Sequence, residues 1–184
     1  MKSFKEIQEA VASIGRGKNL PSWGANGRFN PKSGVLYVAG KTAAIEQNQL
    51  ILAKNSQAIG VTNIDKAQLA LPFVVTGMRM GFDNTTGAAV TVAGAKFKDP
   101  ASPSFANGEL TIDQNGELIK LPVSVIANIA ASNGIADDVY DVNPFVIREN
   151  QVFKITPDLA GPATANEVYK LELHGFYLQP DATV

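Results

Sequence analysis

The sequence predicts an all-β protein: an antiparallel β-sandwich, with a jelly roll as the leading topology, one short N-terminal helix and one small crossover helix. Three observations carry this. About ten short runs rich in β-branched and aromatic residues alternate with turn residues, and no βα repeat appears. The turns are marked by Asp83-Asn84, Asn107-Gly108 and Asn115-Gly116, pairs that favour tight reversals between strands. Most telling is the last run, Asn166 to Gln179. It places Tyr169, Leu171, Leu173, Gly175 and Tyr177 on one face and Lys170, Glu172, His174 and Phe176 on the other, the period of two that marks a strand with one buried side.

In chain order, residues 3–14 read as an amphipathic helix. Ser3 can cap it with Glu6 three residues on, while Phe4, Ile7, Val11 and Ile14 share a face. Gly15 and Gly17 end it. A helix this short is marginal alone and must dock on the body or on another subunit. From Gly15 to Gly34 the chain becomes an arm rich in glycine, with Pro21 and Pro31 and no acidic residue. Trp23, the only tryptophan, lies inside it and reads as an anchor into a pocket. Strands are expected at 35–39, 44–53, 58–64, 71–82, 88–98, 109–113 and 117–121, with a tight hairpin over Asp113-Gln-Asn-Gly-Glu117. Residues 122–132 switch to helical spacing, starting at Pro122 and stopping at Asn133-Gly134. An acidic loop with Asp137, Asp138 and Asp141 follows, then strands at 144–148 and 151–156, a turn from Pro157 to Pro162, and the closing strand.

At 184 residues the chain suits one sandwich domain, divided into an N-terminal helix and basic arm (1–34) and a β-sandwich (35–184). Charged residues are 18%, below the roughly 25% usual for soluble domains, so much of the surface is neutral or is covered by neighbouring molecules. The net charge of -1 is unevenly spread. Residues 1–42 hold seven basic side chains against Glu6 and Glu9, and the remainder is net acidic, so the two parts attract each other or complementary partners.

There is no cysteine, which excludes disulfides and thiolate metal sites. No window reaches the roughly 18 apolar residues of a membrane helix, and Glu6, Gln8 and Glu9 interrupt any signal-peptide pattern. The expectation is a soluble protein without membrane insertion. His174 is the sole histidine, so any Ser-His-Asp arrangement must use it, yet the chain has no G-x-S-x-G. It reads as a half-exposed strand residue. Asp137, Asp138 and Asp141 lack the spacing of a familiar calcium loop, and a solvated turn is the preferred reading, with calcium left open. Paired carboxylates of the glycosidase kind are spatial, and no pair stands out. Gly15-Arg-Gly-Lys18 lacks the remainder of a phosphate loop. Arg16, Lys18, Arg28 and Lys32, interleaved with Trp23 and Phe29, suit nucleic-acid backbone and base stacking. The acidic body or a neighbouring subunit is the preferred partner of so few charges. Asn84-Thr-Thr86 fits a glycosylation sequon. No catalytic residue, metal or cofactor is expected.

Asn143-Pro-Phe-Val-Ile-Arg-Glu-Asn-Gln-Val-Phe-Lys-Ile155, followed by Tyr169-Lys-Leu-Glu-Leu-His-Gly-Phe-Tyr-Leu178, resembles the last two strands of single jelly-roll coat proteins of icosahedral viruses, particularly bacteriophages. The layout of helix, arm and sandwich is similar as well. The resemblance implies a non-enzymatic structural protein of the virion, assembled in the host cytoplasm through lateral sandwich contacts. Its partners would be copies of itself and other virion proteins. The arm that reaches a neighbour would carry Phe4, Ile7, Val11, Arg16, Lys18, Trp23, Arg28 and Phe29, with at most weak genome contact because it is only moderately basic. The alternative is a carbohydrate-binding or adhesion β-sandwich, although Trp23, Phe29, Phe73, Phe82, Phe97 and Phe105 are scattered and form no obvious row.

Overall fold

The computed structural model describes residues 5, 9, 29–42, 49–84, 91–127, 139–162 and 167–180. Seven strands are found among them: β1 (Phe29–Lys41), β2 (Phe73–Asp83), β3 (Glu109–Asp113), β4 (Glu117–Pro122), β5 (Tyr140–Ile147), β6 (Lys154–Asp158) and β7 (Val168–Pro180). They form two antiparallel sheets, one in the order β1-β7-β2-β5 and the other β4-β3-β6. The last strand thus lies between the first two of its sheet, and β3 and β4 are the only consecutive strands that pair. This is jelly-roll order. Beside β6, one backbone bond joins the Leu50 N–H to the Ile155 carbonyl at 2.8 Å.

The core lies between the sheets. Leu36, Val38, Phe73, Val75, Met78, Met80 and Phe82 meet Leu110, Ile112, Leu121 and Ile155, with Tyr169, Leu171 and Leu173 of β7 among them. Inward residues of β2 change from odd to even numbers across a β-bulge between Val75 and Gly77. The extra residue lets β2 bend while both halves keep an apolar face inward. Two glycines of β1 sit under tyrosines of β7: a Cβ on Gly40 would lie 2.6 Å from the Tyr169 hydroxyl, and one on Gly34 2.6 Å from the Tyr177 ring. Each ring covers the backbone that its glycine leaves bare.

The end of the sandwich is closed by a four-residue helix, α1 (Pro103–Ala106), with proline in its first turn, where a missing N–H costs nothing. Its Phe105 is fully buried, 4.9 Å from the Phe82 ring and 6.3 Å from Tyr169. The Asp113–Glu117 hairpin forms as expected, with Asn115 and Gly116 both at positive φ. Gln114 ties it to the turn after β5. Its amide donates to the Arg148 and Gln151 carbonyls and accepts from the Arg148 N–H.

Several expected elements differ. Pro122 ends β4, and the crossover helix is replaced within the described residues by a single 3-10 turn, Val123–Val125. The Ile126 carbonyl is taken by the Met80 N–H at 2.7 Å, and Met80 bridges Ala127. This bonding to β2 replaces the next helical turn. Residues 128–132 lie outside the described residues. The described part of 88–98 is a 3-10 turn, Val92–Gly94, and irregular chain, because Lys96 N–H bonds the Asp83 carboxylate instead of a strand. Residues 58–64 form a turn with isolated bridges, and 49–53 form no strand. Of the expected N-terminal helix only Lys5 and Glu9 are described, both helical, with side chains 3.9 Å apart. The arm was expected to run to Gly34, but β1 begins at Phe29. Residues 29–34 pair with Pro180–Gly175, so the sheet absorbs the end of the arm.

Candidate functional site

The face of the four-stranded sheet turned away from the core has two unlike halves, both centred on the outward row of β7. One half is apolar: Phe29, Val74, Val146, Phe176 and Leu178 form a second buried cluster, separate from the core. The register explains it, since Val74 lies beside both Phe176 and Val146, and Phe29 pairs with Pro180. A sandwich sheet ordinarily presents polar side chains outward; this one buries apolar groups on both sides.

The other half is charged. Antiparallel pairing sets Tyr37 of β1 and Arg79 of β2 on either side of Glu172, with Lys170 and His174 two residues away along β7. Arg79 Nε donates to Glu172 Oε2 at 2.9 Å and Nη2 to the same oxygen; Lys170 Nζ reaches Oε1 at 2.7 Å. His174 Nε2 is 3.5 Å from Oε2 and has no hydrogen-bond partner among the described residues. The Lys170 ammonium lies between two rings, 5.2 Å from the Tyr37 centroid and 5.8 Å from that of Phe97, where the ring faces attract a cation. Burial alone would push the Glu172 carboxyl up, but hydrogen bonds and charge from Lys170 and Arg79 hold it below its ordinary value.

Two segments lie over this half, each at a glycine. A Cβ on Gly81 would come within 3.0 Å of Phe97 Cβ, and one on Gly77 within 2.5 Å of Val139 Cγ1. Asn84 secures the first segment: its amide donates to the Pro100 carbonyl, and its N–H to Asp99. The sequon residue is therefore held into the fold. The free edge of β1 is covered by residues 61–63, through Ala39 N–H to the Val61 carbonyl and Asn63 side-chain bonds to Tyr37 and Val35. Such a cover blocks strand addition along that stretch.

Of the residues singled out in the sequence, Phe4, Ile7, Val11, Arg16, Lys18, Trp23 and Arg28 lie outside the described residues, as do Asp137 and Asp138. Phe29 is in β1, buried in the outer cluster. Asp141 is in β5, exposed and opposite Gly77. No group of three or more histidine, aspartate or glutamate side chains suited to a metal occurs among the described residues. The sequence reading missed the parts that Tyr37, Arg79 and Phe97 play. Gly77 and Gly81 inside a strand were the available signal, since such glycines mark close approach of another segment.

A second carboxylate has the opposite environment. Glu167, buried just before β7, accepts the Ser102 N–H at 3.1 Å and the Ser102 hydroxyl at 2.9 Å, with no ion pair to a cation among the described residues. Burial pushes its carboxyl up, against the lowering effect of the Ser102 bonds. The two groups give opposite pH dependence. Glu167, with its folded value raised, contributes stability that is complete below the ordinary value of 4.5 and is lost as pH rises through the folded value. Glu172, with its folded value lowered, contributes stability present above 4.5 and lost as pH falls through the folded value. Glu172→Gln is therefore expected to cost about 1–3 kcal/mol at pH 7 and progressively less as pH falls below 4.5. Glu167→Gln, which keeps both Ser102 contacts, should be more stable than the parent at pH 7 and lose that advantage in acid. Urea denaturation of both variants across this range checks the signs.

No protein-family model, curated protein or solved structure matches this chain.

Proposed function

We propose that this chain is a structural protein of a virion, that of a bacteriophage, which assembles with copies of itself and with other virion proteins. Its jelly-roll body makes the lateral contacts, and residues 1–28 act as the assembly arm. The supporting observation is the strand order β1-β7-β2-β5 over β4-β3-β6, an order typical of viral coat and lectin domains. The low charge content suits a surface largely covered by neighbours. The apolar outer cluster supports the arm's role, because the chain enters the sheet at Phe29, itself a member of that cluster. In this reading the protein has no catalytic role, and genome contact through Arg16, Lys18 and Arg28 is weak.

Deleting residues 1–28 leaves β1 to β7 intact and tests the arm directly. Light scattering after size-exclusion chromatography should show large particles for the full chain and small species for the truncated one, with cooperative thermal unfolding retained. Equal particle mass for the two would remove the arm from the proposal.

A further inference from the structure

A cleft of about 340 Å³ opens where the chain between residues 57 and 71 meets the turn at Asn150 and the ring of Tyr177. It lies at the small end of the roughly 300–1,000 Å³ usual for ligand sites. Its walls are fixed by backbone bonds. The Phe153 N–H donates to the Ala67 carbonyl at 3.0 Å, Asn150 to Leu69 at 2.8 Å, Lys66 to Asn55 at 2.7 Å and Gln68 to Asp65 at 2.8 Å. Lys66, Ala67 and Asn150 are held at φ of 50°, 55° and 55°. Side chains other than glycine rarely adopt this conformation, and it persists where the surroundings enforce it, often at binding sites.

The polar groups of the cleft divide into two kinds. Asn63 is committed to the fold, its amide bonded to the backbone of Tyr37 and Val35, and the Gln57 amide donates to the Asn63 carbonyl. By contrast, the side chains of Asp65, Gln68 and Asn150 make no hydrogen bond or ion pair among the described residues, and all three are exposed at the cleft. Tyr177 supplies a half-buried ring, held edge-on by Phe73 at 4.8 Å. Two amides and a carboxylate offer donors and acceptors side by side, matching adjacent hydroxyls that each donate and accept. The aromatic ring suits an apolar C–H face. Asp65 and Lys66 are of opposite charge, so the cleft has no net bias toward an anion.

We propose that this cleft binds a neutral saccharide of one or two rings, with Asp65, Gln68 and Asn150 bonding its hydroxyls and Tyr177 packing on its ring. The proposal goes beyond the assembly role and stands independently of it.

Saturation-transfer NMR on the full chain, which tolerates large particles, tests it with glucose, galactose, mannose, N-acetylglucosamine and lactose at millimolar concentrations. At least one sugar should receive saturation, and Gln68→Ala and Asp65→Asn should each weaken that binding about tenfold or more. Both side chains are exposed, so thermal unfolding and particle mass should match the parent. Excess inorganic phosphate should leave the signal unchanged. Absence of transfer to every sugar, transfer unaltered in both variants, or loss of the signal to phosphate would each overturn the proposal.

Discussion

Gly175→Ala is expected to lower stability by at least about 3 kcal/mol, corresponding to a fall in Tm of about 6–12 °C for a domain of this size. A Cβ at this position would lie 1.8 Å from the Val74 carbonyl oxygen and 2.9 Å from its carbon. The obstruction is backbone in the centre of a sheet, next to the bulge that sets the direction of β2. It cannot be relieved by turning a side chain. Either β2 and β7 separate or the bulge moves, and a moved bulge would turn Met78, Met80 and Phe82 out of the core. Gly161→Ala is the control, because nothing lies within 4 Å of the added carbon; it should change stability by less than about 0.5 kcal/mol. Thermal and urea unfolding of the two variants give the comparison.

Phe105→Ala should be comparably severe, costing about 3–5 kcal/mol. Phe105 is the one buried residue of α1, and its ring fills the space between Phe82 and Tyr169. The four-residue helix has no other apolar anchor of that size, so removing the ring leaves a cavity and also loosens α1. The Tyr169 hydroxyl reports on this independently. Burial pushes its ionisation up to about 12, and opening the cavity to water should lower that value, which ultraviolet titration of the tyrosines would detect.

The sequence was legible where structure is local or periodic. The alternation of β7 was read with the correct faces, and Asn115-Gly116 located the hairpin between β3 and β4. Reading failed where partners are distant in sequence. Phe29 to Gly34, with Pro31 in its midst, looks like loop, and it becomes strand because β7 supplies the pairing and Tyr177 covers Gly34. The run at 88–98 has strand-like composition, yet its described part crosses the outer face of the sheet, with Phe97 at φ 51° against Gly81. The alternation of β7 predicts a strand with only one buried side. Phe176 and Leu178 prove buried on the other side too, since apolar neighbours arrive from β1, β2 and β5. The cleft beside Tyr177 left almost no local trace, because Lys66 and Ala67 carry no glycine signal for their backbone conformation, and Asn150 and Tyr177 come from far along the chain.

These features fit a scaffold. A jelly roll that buries an apolar cluster on one half of its outer sheet face and packs the Arg79, Lys170 and Glu172 network under covering segments on the other is a rigid body, as the proposed assembly role requires. The most direct test of that account is sedimentation velocity of the full chain over a wide concentration range, with electron microscopy of the heaviest fraction. Closed shells or cyclic multimers should grow at the expense of monomer as concentration rises. A single monomeric boundary at every concentration, from protein that unfolds cooperatively, would contradict it.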